Sequence, residues 1–480
     1  MSREPREYRT LDKDLRRVTN TERAVLHSAR PLLALGLGLI FMAAASYVGT
    51  GFLGDQPALG ILAASLAVAA YLALSIGGND VANALGPAVG AGAIGMTAGL
   101  LSVAAMEVLG AVIAGSAVTS TLTEGLVGST LGAGEATARM MLAALLAAGS
   151  WISLATWLGT PVSTTHSVVG AIAGAGLATF GLGAVNWPAM AMIAVGWIVS
   201  PLVSGLAAAG LMALLRWLVL DRPDRFAAAR NWVPVIVALA SAMLAGVAEL
   251  AWHGAGLATN AGLALACGAL GWIYTRRRID RQSLGGAQGQ PAMKQMLAVP
   301  LVAAALVMGF AHGANDTSNV AAPLTIILDS LSAGAGAGDG NGAEQNGRLV
   351  LLLGGLGIAL GVMLFGRRLV YMVGSRITRL NASRALCVSL ATAGTVLGAA
   401  LLGLPVSTTH VAVGGVFGVG FYREWRDRRL AASHAPLPSE ERRRRHLVRR
   451  SYMRMILGAW LVTVPAAAAL AATLVWVGGF

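Results

Sequence analysis

Charge is scarce in this chain: 12% of its 480 residues are Asp, Glu, Lys or Arg, against about 25% in a soluble domain. That shortage excludes a soluble enzyme, a nucleic-acid-binding domain and a disordered chain. Cysteine is scarcer still. Cys267 and Cys387 are the two in the chain, both inside apolar stretches, so there is no disulfide framework and no thiolate metal spacing. Lysine is nearly absent, with Lys13 and Lys294 standing among 35 basic residues, a bias of base composition and not of mechanism. Alternating apolar and polar residues are missing too, which argues against a β-barrel. What the chain has is long apolar runs. RPLLALGLGLIFMAAASYVG, ALGILAASLAVAAYLALSI and MILGAWLVTVPAAAALAATLVWVGGF are each long enough to cross about 30 Å of hydrocarbon as a helix. Residues 1–30 are too long and too charged in both signs for the n-region of a signal peptide, so the apolar stretch that follows reads as a retained helix.

The expectation is an all-α polytopic membrane protein with about 12–13 transmembrane segments. The thirteen candidates are 31–49, 58–77, 98–118, 139–159, 161–181, 188–215, 232–250, 256–275, 296–313, 348–366, 385–403, 405–422 and 453–478. The net charge of +13 is concentrated at their ends, since all but two of the 35 basic residues lie in 3–30, 216–230, 276–294, 367–384 and 423–454. With the N-terminus inside, every one of these clusters falls on the cytoplasmic side, as the positive-inside rule requires. Loops 119–138 and 329–347 fall outside. Segments 161–181 and 405–422 are the weak points, because a re-entrant segment would change the parity. The last basic cluster, with 11 basic and 4 acidic residues, reads as a topology anchor, with contact to anionic membrane lipid as the lesser role. The localisation expected is the cell (plasma or inner) membrane.

Two motifs each occur twice. GGNDVAN at 77–83 matches GANDTSN at 313–319, and PVSTTH at 161–166 recurs at 405–410. The distance from Asp to Pro is 81 residues in one copy and 89 in the other. Between them, EVLGAVIAGSAV from Glu107 aligns with IALGVMLFGRRL from Ile358. Two motifs repeated in order mark a duplicated unit. The loop after the Glu107 helix has no basic residue before Arg139, whereas its counterpart holds Arg367, Arg368, Arg376, Arg379 and Arg384. Equivalent loops of opposite charge belong on opposite membrane faces, so the units form an inverted repeat of the kind secondary transporters use, with interrupted helices and a midplane site. The expected organisation is a cytoplasmic segment 1–30, an added helix 31–57, repeat 58–181, bridging helices 182–295, repeat 296–422, a basic cytoplasmic loop 423–452 and a closing helix 453–480.

The repeated residues carry the chemistry. Asn79, Asp80 and Asn83, with Asn315, Asp316 and Asn319, sit where ionisable groups are expensive. Glycines that free the helix from its ladder would release carbonyls, which with these side chains make an oxygen cage for Na+ at Asp80 and Asp316, or an acid for H+. Capping of an interfacial helix end is the bland reading, and duplication at equivalent positions weighs against it. In PVSTTH, proline at the first helical position and the hydroxyls of Ser163, Thr164 and Thr165, or Ser407, Thr408 and Thr409, open a helix onto an anion site. A tetrahedral oxyanion fits this lining. Its charge would be balanced by the co-bound cation, which is a physical cause for symport. Back-bonding hydroxyls at an ordinary helix start are the rival. His166 and His410 are expected to be structural. Glu107, matched by Ile358, is expected to serve the cation or a proton. His312 has Ile76 at its matching position and so falls outside the symmetric core.

GGNDVAN with PVSTTH, then FAHGANDTSN with a second PVSTTH, resembles the inorganic phosphate transporter (PiT) family over about 58–181 and 296–422. The resemblance implies symport of inorganic phosphate with Na+ or H+, sometimes as a metal–phosphate complex, by a homodimer without resident cofactor. It maps cation and substrate contacts to Asn79, Asp80, Asn83, Asn315, Asp316 and Asn319. It maps phosphate contacts to Ser163, Thr164, Thr165, Ser407, Thr408 and Thr409. Several relatives have a Glu where this chain has Ser389, and helix 31–49 looks like an addition before the family core. The alternatives are a sulfate symporter of the same fold and a passive anion channel. An intramembrane hydrolase on Ser163 and His166 is discounted, because the same residues recur at 407–410.

Overall fold

The computed structural model describes residues 31–52, 58–125, 134–160, 162–253, 256–284, 293–332, 340–372, 381–431 and 450–478. Among the described residues the architecture is all-helical, with no strand. The helices are α1 (Pro31–Phe52), α2 (Leu59–Gly90), α3 (Met96–Ala114), α4 (Ser116–Gly125), α5 (Glu135–Leu158), α6 (Thr164–Phe180), α7 (Trp187–Leu215), α8 (Arg225–His253) and α9 (Leu257–Leu284). After the single turn α10 (Met293–Met296) come α11 (Ala298–Asp316), α12 (Ser318–Ser332), α13 (Gly340–Met372), α14 (Ala382–Leu401), α15 (Thr408–Ala431) and α16 (Arg450–Gly478).

Among the described residues ten spans are long and apolar enough to cross a membrane, with α10 to α12 counted as one. The three expected segments outside that set are helices too: α6, α9 and α15. At 17 residues and 1.5 Å per residue, α6 falls short of a full hydrocarbon layer. The outer loop expected from 119 begins instead as helix α4, and residues 126–133 and 333–339 of the two outer loops lie outside the described residues.

Small residues decide how the helices meet. A Cβ on Gly77 of α2 would enter the Ile358 carbonyl of α13, and one on Gly361 of α13 would enter the Leu74 carbonyl of α2. The same two contacts recur between α11 and α3, where Gly313 faces the Glu107 carbonyl and Gly110 the Phe310 carbonyl. These are equivalent positions of the duplicated unit, so a helix of each unit packs backbone to backbone on one of the other, as small residues permit within a membrane. A second matched set joins α6 to α16 and α15 to α7. Gly170 and Gly174 lie against Val464 and Ala468, and Gly414 and Gly418 against Pro201 and Gly205. Trp187–Leu215, within the stretch expected to bridge the repeats, thus packs on α15 as α16 packs on α6.

This corrects the role expected of the motif glycines. α2 runs unbroken from Leu59 to Gly90 through GGNDVAN, because Gly77 and Gly78 face a neighbouring helix and their place in the ladder is kept. Only the second copy is interrupted, at Thr317 between α11 and α12.

Candidate functional site

The two PVSTTH turns place their side chains by capping. Ser163 is the N-cap of α6 and accepts from the His166 amide at 3.2 Å, and Ser407 does the same for His410 in front of α15 at 3.3 Å. Helix α15 begins at Thr408, three residues after Pro405, so the expectation of proline at the first helical position is corrected. The serine caps instead, and each serine oxygen is committed to a backbone amide. Thr164, Thr165, Thr408 and Thr409 fill the first turns and are buried.

Asp80 and Asp316 meet these threonines. Thr409 Oγ1 donates to Asp80 Oδ1 at 3.0 Å, and Asn83 Nδ2 donates to both, at 3.0 Å to the threonine and 3.3 Å to the carboxylate. Asp316 Oδ2 accepts from Thr408 at 3.2 Å and from Thr164 at 3.4 Å. Asn319 Nδ2 donates to Thr165 Oγ1 at 3.4 Å, the repeat equivalent of Asn83 on Thr409. Each Asn/Asp motif therefore reaches the threonine turn of the other unit. Asn315 binds Asp316 and also clamps residue 406, donating to the Val406 carbonyl at 2.8 Å and accepting its amide at 3.3 Å. Asn79 lies farther from this centre, with its amide on Thr156 Oγ1 at 2.8 Å.

His312 stands in the middle of the acids. Its Nδ1 is 2.9 Å from Glu107 Oε1, and its Nε2 is 3.0 Å from Asp316 Oδ2 and 4.0 Å from Asp80 Oδ2. Sequence reasoning gave this histidine too little weight because Ile76 occupies its matching position. The missed signal was that both breaks in symmetry coincide. Glu107 corresponds to Ile358 in the repeat and His312 to Ile76, so a polar pair where α3 meets α11 answers an apolar pair where α13 meets α2. Ile76 and Ile358 are both fully buried in one apolar cluster.

His166 and His410 do not join the acids. They lie edge to face at 4.3 Å between centroids, with His166 on Trp197 at 3.8 Å and His410 stacked on Trp460 at 3.4 Å. This is aromatic packing between the helix pairs α6–α16 and α7–α15. Ser389 is buried on α14.

Chemically, the centre combines three buried carboxylates, one imidazole and four threonine hydroxyls. Asn79 Oδ1, Asp80 Oδ2, Thr317 Oγ1 and Asn319 Oδ1 are buried oxygens without a donor among the described residues. Oxygens of this kind suit a hard cation such as Na+, whereas the imidazole suits a proton.

The sequence profile of the phosphate transporter family matches residues 76–471. A putative phosphate permease of Helicobacter pylori is 37% identical over 86% of this chain and 78% of its own length. The chloroplastic inorganic phosphate transporter 2-1 of Arabidopsis thaliana is 35% identical over 86% of this chain and 71% of its own. A solved sodium-dependent phosphate transporter superposes with a TM-score of 0.76 at 32% identity, covering 88% of this chain and 99% of that one. Both repeated motifs and all the residues of the acid–threonine centre lie inside the matched region, and the chain belongs to the phosphate transporter family.

Proposed function

We propose that this multi-pass membrane protein imports inorganic phosphate by symport with Na+, with the cation near Asp80 and Asp316 and the anion on Thr164, Thr165, Thr408 and Thr409. One observation carries the reading: three of the four hydroxyls that would donate to phosphate, those of Thr164, Thr408 and Thr409, already donate to the carboxylates, and Thr165 donates to the Val406 carbonyl. Phosphate can take these donors only by stripping hydroxyl partners from the buried carboxylates of Asp80 and Asp316, which is unfavourable. A cation bound to the carboxylates replaces the lost donors. Each ion therefore binds well only with the other, and that linkage is reciprocal. Asp80 or Asp316 can also accept a hydrogen bond from protonated phosphate, which sulfate does not offer at neutral pH.

The relatives' names support phosphate as substrate, and the name of the solved neighbour supports Na+. The chain of contacts Glu107–His312–Asp316 favours a second coupling ion, H+, because a proton bound there also offsets charge. The loop charges and the matched helix contacts support two inverted repeats with the N-terminus cytoplasmic. On that reading each unit extends through α7 and α16.

The test is radiolabelled phosphate uptake into proteoliposomes under separately imposed Na+ and H+ gradients, with excess sulfate as competitor. Accumulation driven by Na+ and indifferent to sulfate is expected. Uptake that ignores both gradients would mean a channel, and sulfate uptake alone would remove phosphate as the substrate.

A further inference from the structure

Helices α8 and α9 form a hairpin whose α8 touches the rest of the molecule through α11, α3 and the segment 216–220. Between the hairpin and those two helices lies an open crevice of about 980 Å³. Its walls are apolar, with Leu109, Ile113, Leu244, Leu270, Leu306 and Phe310 among them. Along α11 it reaches from Ala298 to Phe310, about 18 Å at 1.5 Å per residue. That is roughly the depth of one leaflet of a 30 Å hydrocarbon layer.

Charge is confined to one end. Arg278 lines the crevice beside Tyr274 and donates to its phenol oxygen at 3.1 Å. Lys294 Nζ lies close to Gly92, next to the lining residue Ala93. Two other arginines near this end, Arg230 and Arg276, are engaged by Asp280. Arg278 has no carboxylate partner among the described residues.

We propose that this crevice is a binding site for an anionic phospholipid, its phosphate on Arg278 and Tyr274 and an acyl chain along α11. Shape and charge match such a lipid. The apolar length spans a leaflet, and the single cationic end lies in the basic segment 276–294, on the headgroup side. The lipid would also back the transport centre. Met106, on the crevice wall, precedes Glu107, and Phe310 lies two residues before His312. An occupied crevice holds α3 and α11 together behind the Glu107–His312 contact.

The experiment is native mass spectrometry of the full chain in mild detergent, with phosphatidylglycerol and phosphatidylcholine as probes. Wild type is expected to retain phosphatidylglycerol in preference to phosphatidylcholine. Arg278→Gln should lower that retention about fivefold, the worth of one basic side chain at an anionic surface. Ala303→Trp, which fills the crevice, should abolish it. If the tryptophan variant does not fold, Arg278→Gln at the exposed rim decides alone. Equal retention of both lipids by wild type, or unchanged retention in Arg278→Gln, overturns the proposal. So does displacement of the lipid by millimolar inorganic phosphate, or cross-linking of two chains through Ala303→Cys, which would make a second copy the occupant. Retention is read without transport, so a failure here leaves the phosphate reading standing.

Discussion

Repeat symmetry fails at two polar positions, Glu107 against Ile358 and His312 against Ile76, and the two polar residues meet at 2.9 Å. Breaking a buried pair by removing one partner costs about 3–5 kcal/mol, whereas an apolar pair of similar volume is often neutral. Glu107→Ile alone should therefore lower the melting temperature, and Glu107→Ile with His312→Ile should recover most of it by reproducing the apolar pair that Ile76 and Ile358 supply at the equivalent positions. Phosphate uptake should be lost in both. A double variant as unstable as the single one would show that the polar and apolar pairs are not interchangeable at these equivalent positions. At the threonines, Thr408→Val keeps shape and deletes a donor to Asp316. A hydrogen bond to a charged group is worth about 1.5–3 kcal/mol, so phosphate affinity should fall about tenfold or more, in Thr164→Val as well. Saturation kinetics of uptake check this, and wild-type kinetics in both variants would remove the threonines from the anion site.

Helix contacts are set by glycines where backbones touch. Gly313→Ala drives a methyl into the Glu107 carbonyl of α3. Since α3 and α11 hold Glu107 and His312, the variant should lose both stability and uptake. Gly394 of α14 has open space where a Cβ would stand, so Gly394→Ala should be neutral or gain up to about 1 kcal/mol from helix propensity. Thermal unfolding in detergent separates the two. Equal behaviour would mean that close approach does not govern these seams. The unbroken α2 belongs at this scale too. Its motif glycines were expected to open the helix, yet Leu59–Gly90 is continuous, because a glycine that lets a neighbour's carbonyl approach looks the same in sequence as one that breaks a ladder.

Across the whole molecule, the proposed inverted repeat makes a demand on topology. Single cysteines at Thr130 and Arg376, in a chain with Cys267 and Cys387 replaced, should label from opposite faces of the membrane, Thr130 from outside and Arg376 from inside. Labelling from one face would end the inversion and the pseudo-symmetric midplane site with it. Coupling makes a second demand. Asp80→Asn is nearly isosteric and removes one charge, so it should insert and fold but lose concentrative uptake, and Asp316→Asn should be impaired as well. Wild-type accumulation in vesicles by both variants would reduce these carboxylates to structural caps.

The membrane class, the duplication, and the Asp, Asn and Thr residues of the centre were legible in one dimension, because hydropathy, motif recurrence and the cost of burying charge depend on residue type and order alone. The pairing across units was not. That Asn83 meets Thr409, that Asn319 meets Thr165, and that α7 packs on α15 while α16 packs on α6 depends on which helices cross. Backbone contact at small residues decides those crossings, and many glycines offer it. His312 is the sharpest case. Its type marked it as titratable, but its place between Glu107, Asp316 and Asp80 arises only where α11 crosses α3 close enough for Gly313 to touch the Glu107 carbonyl.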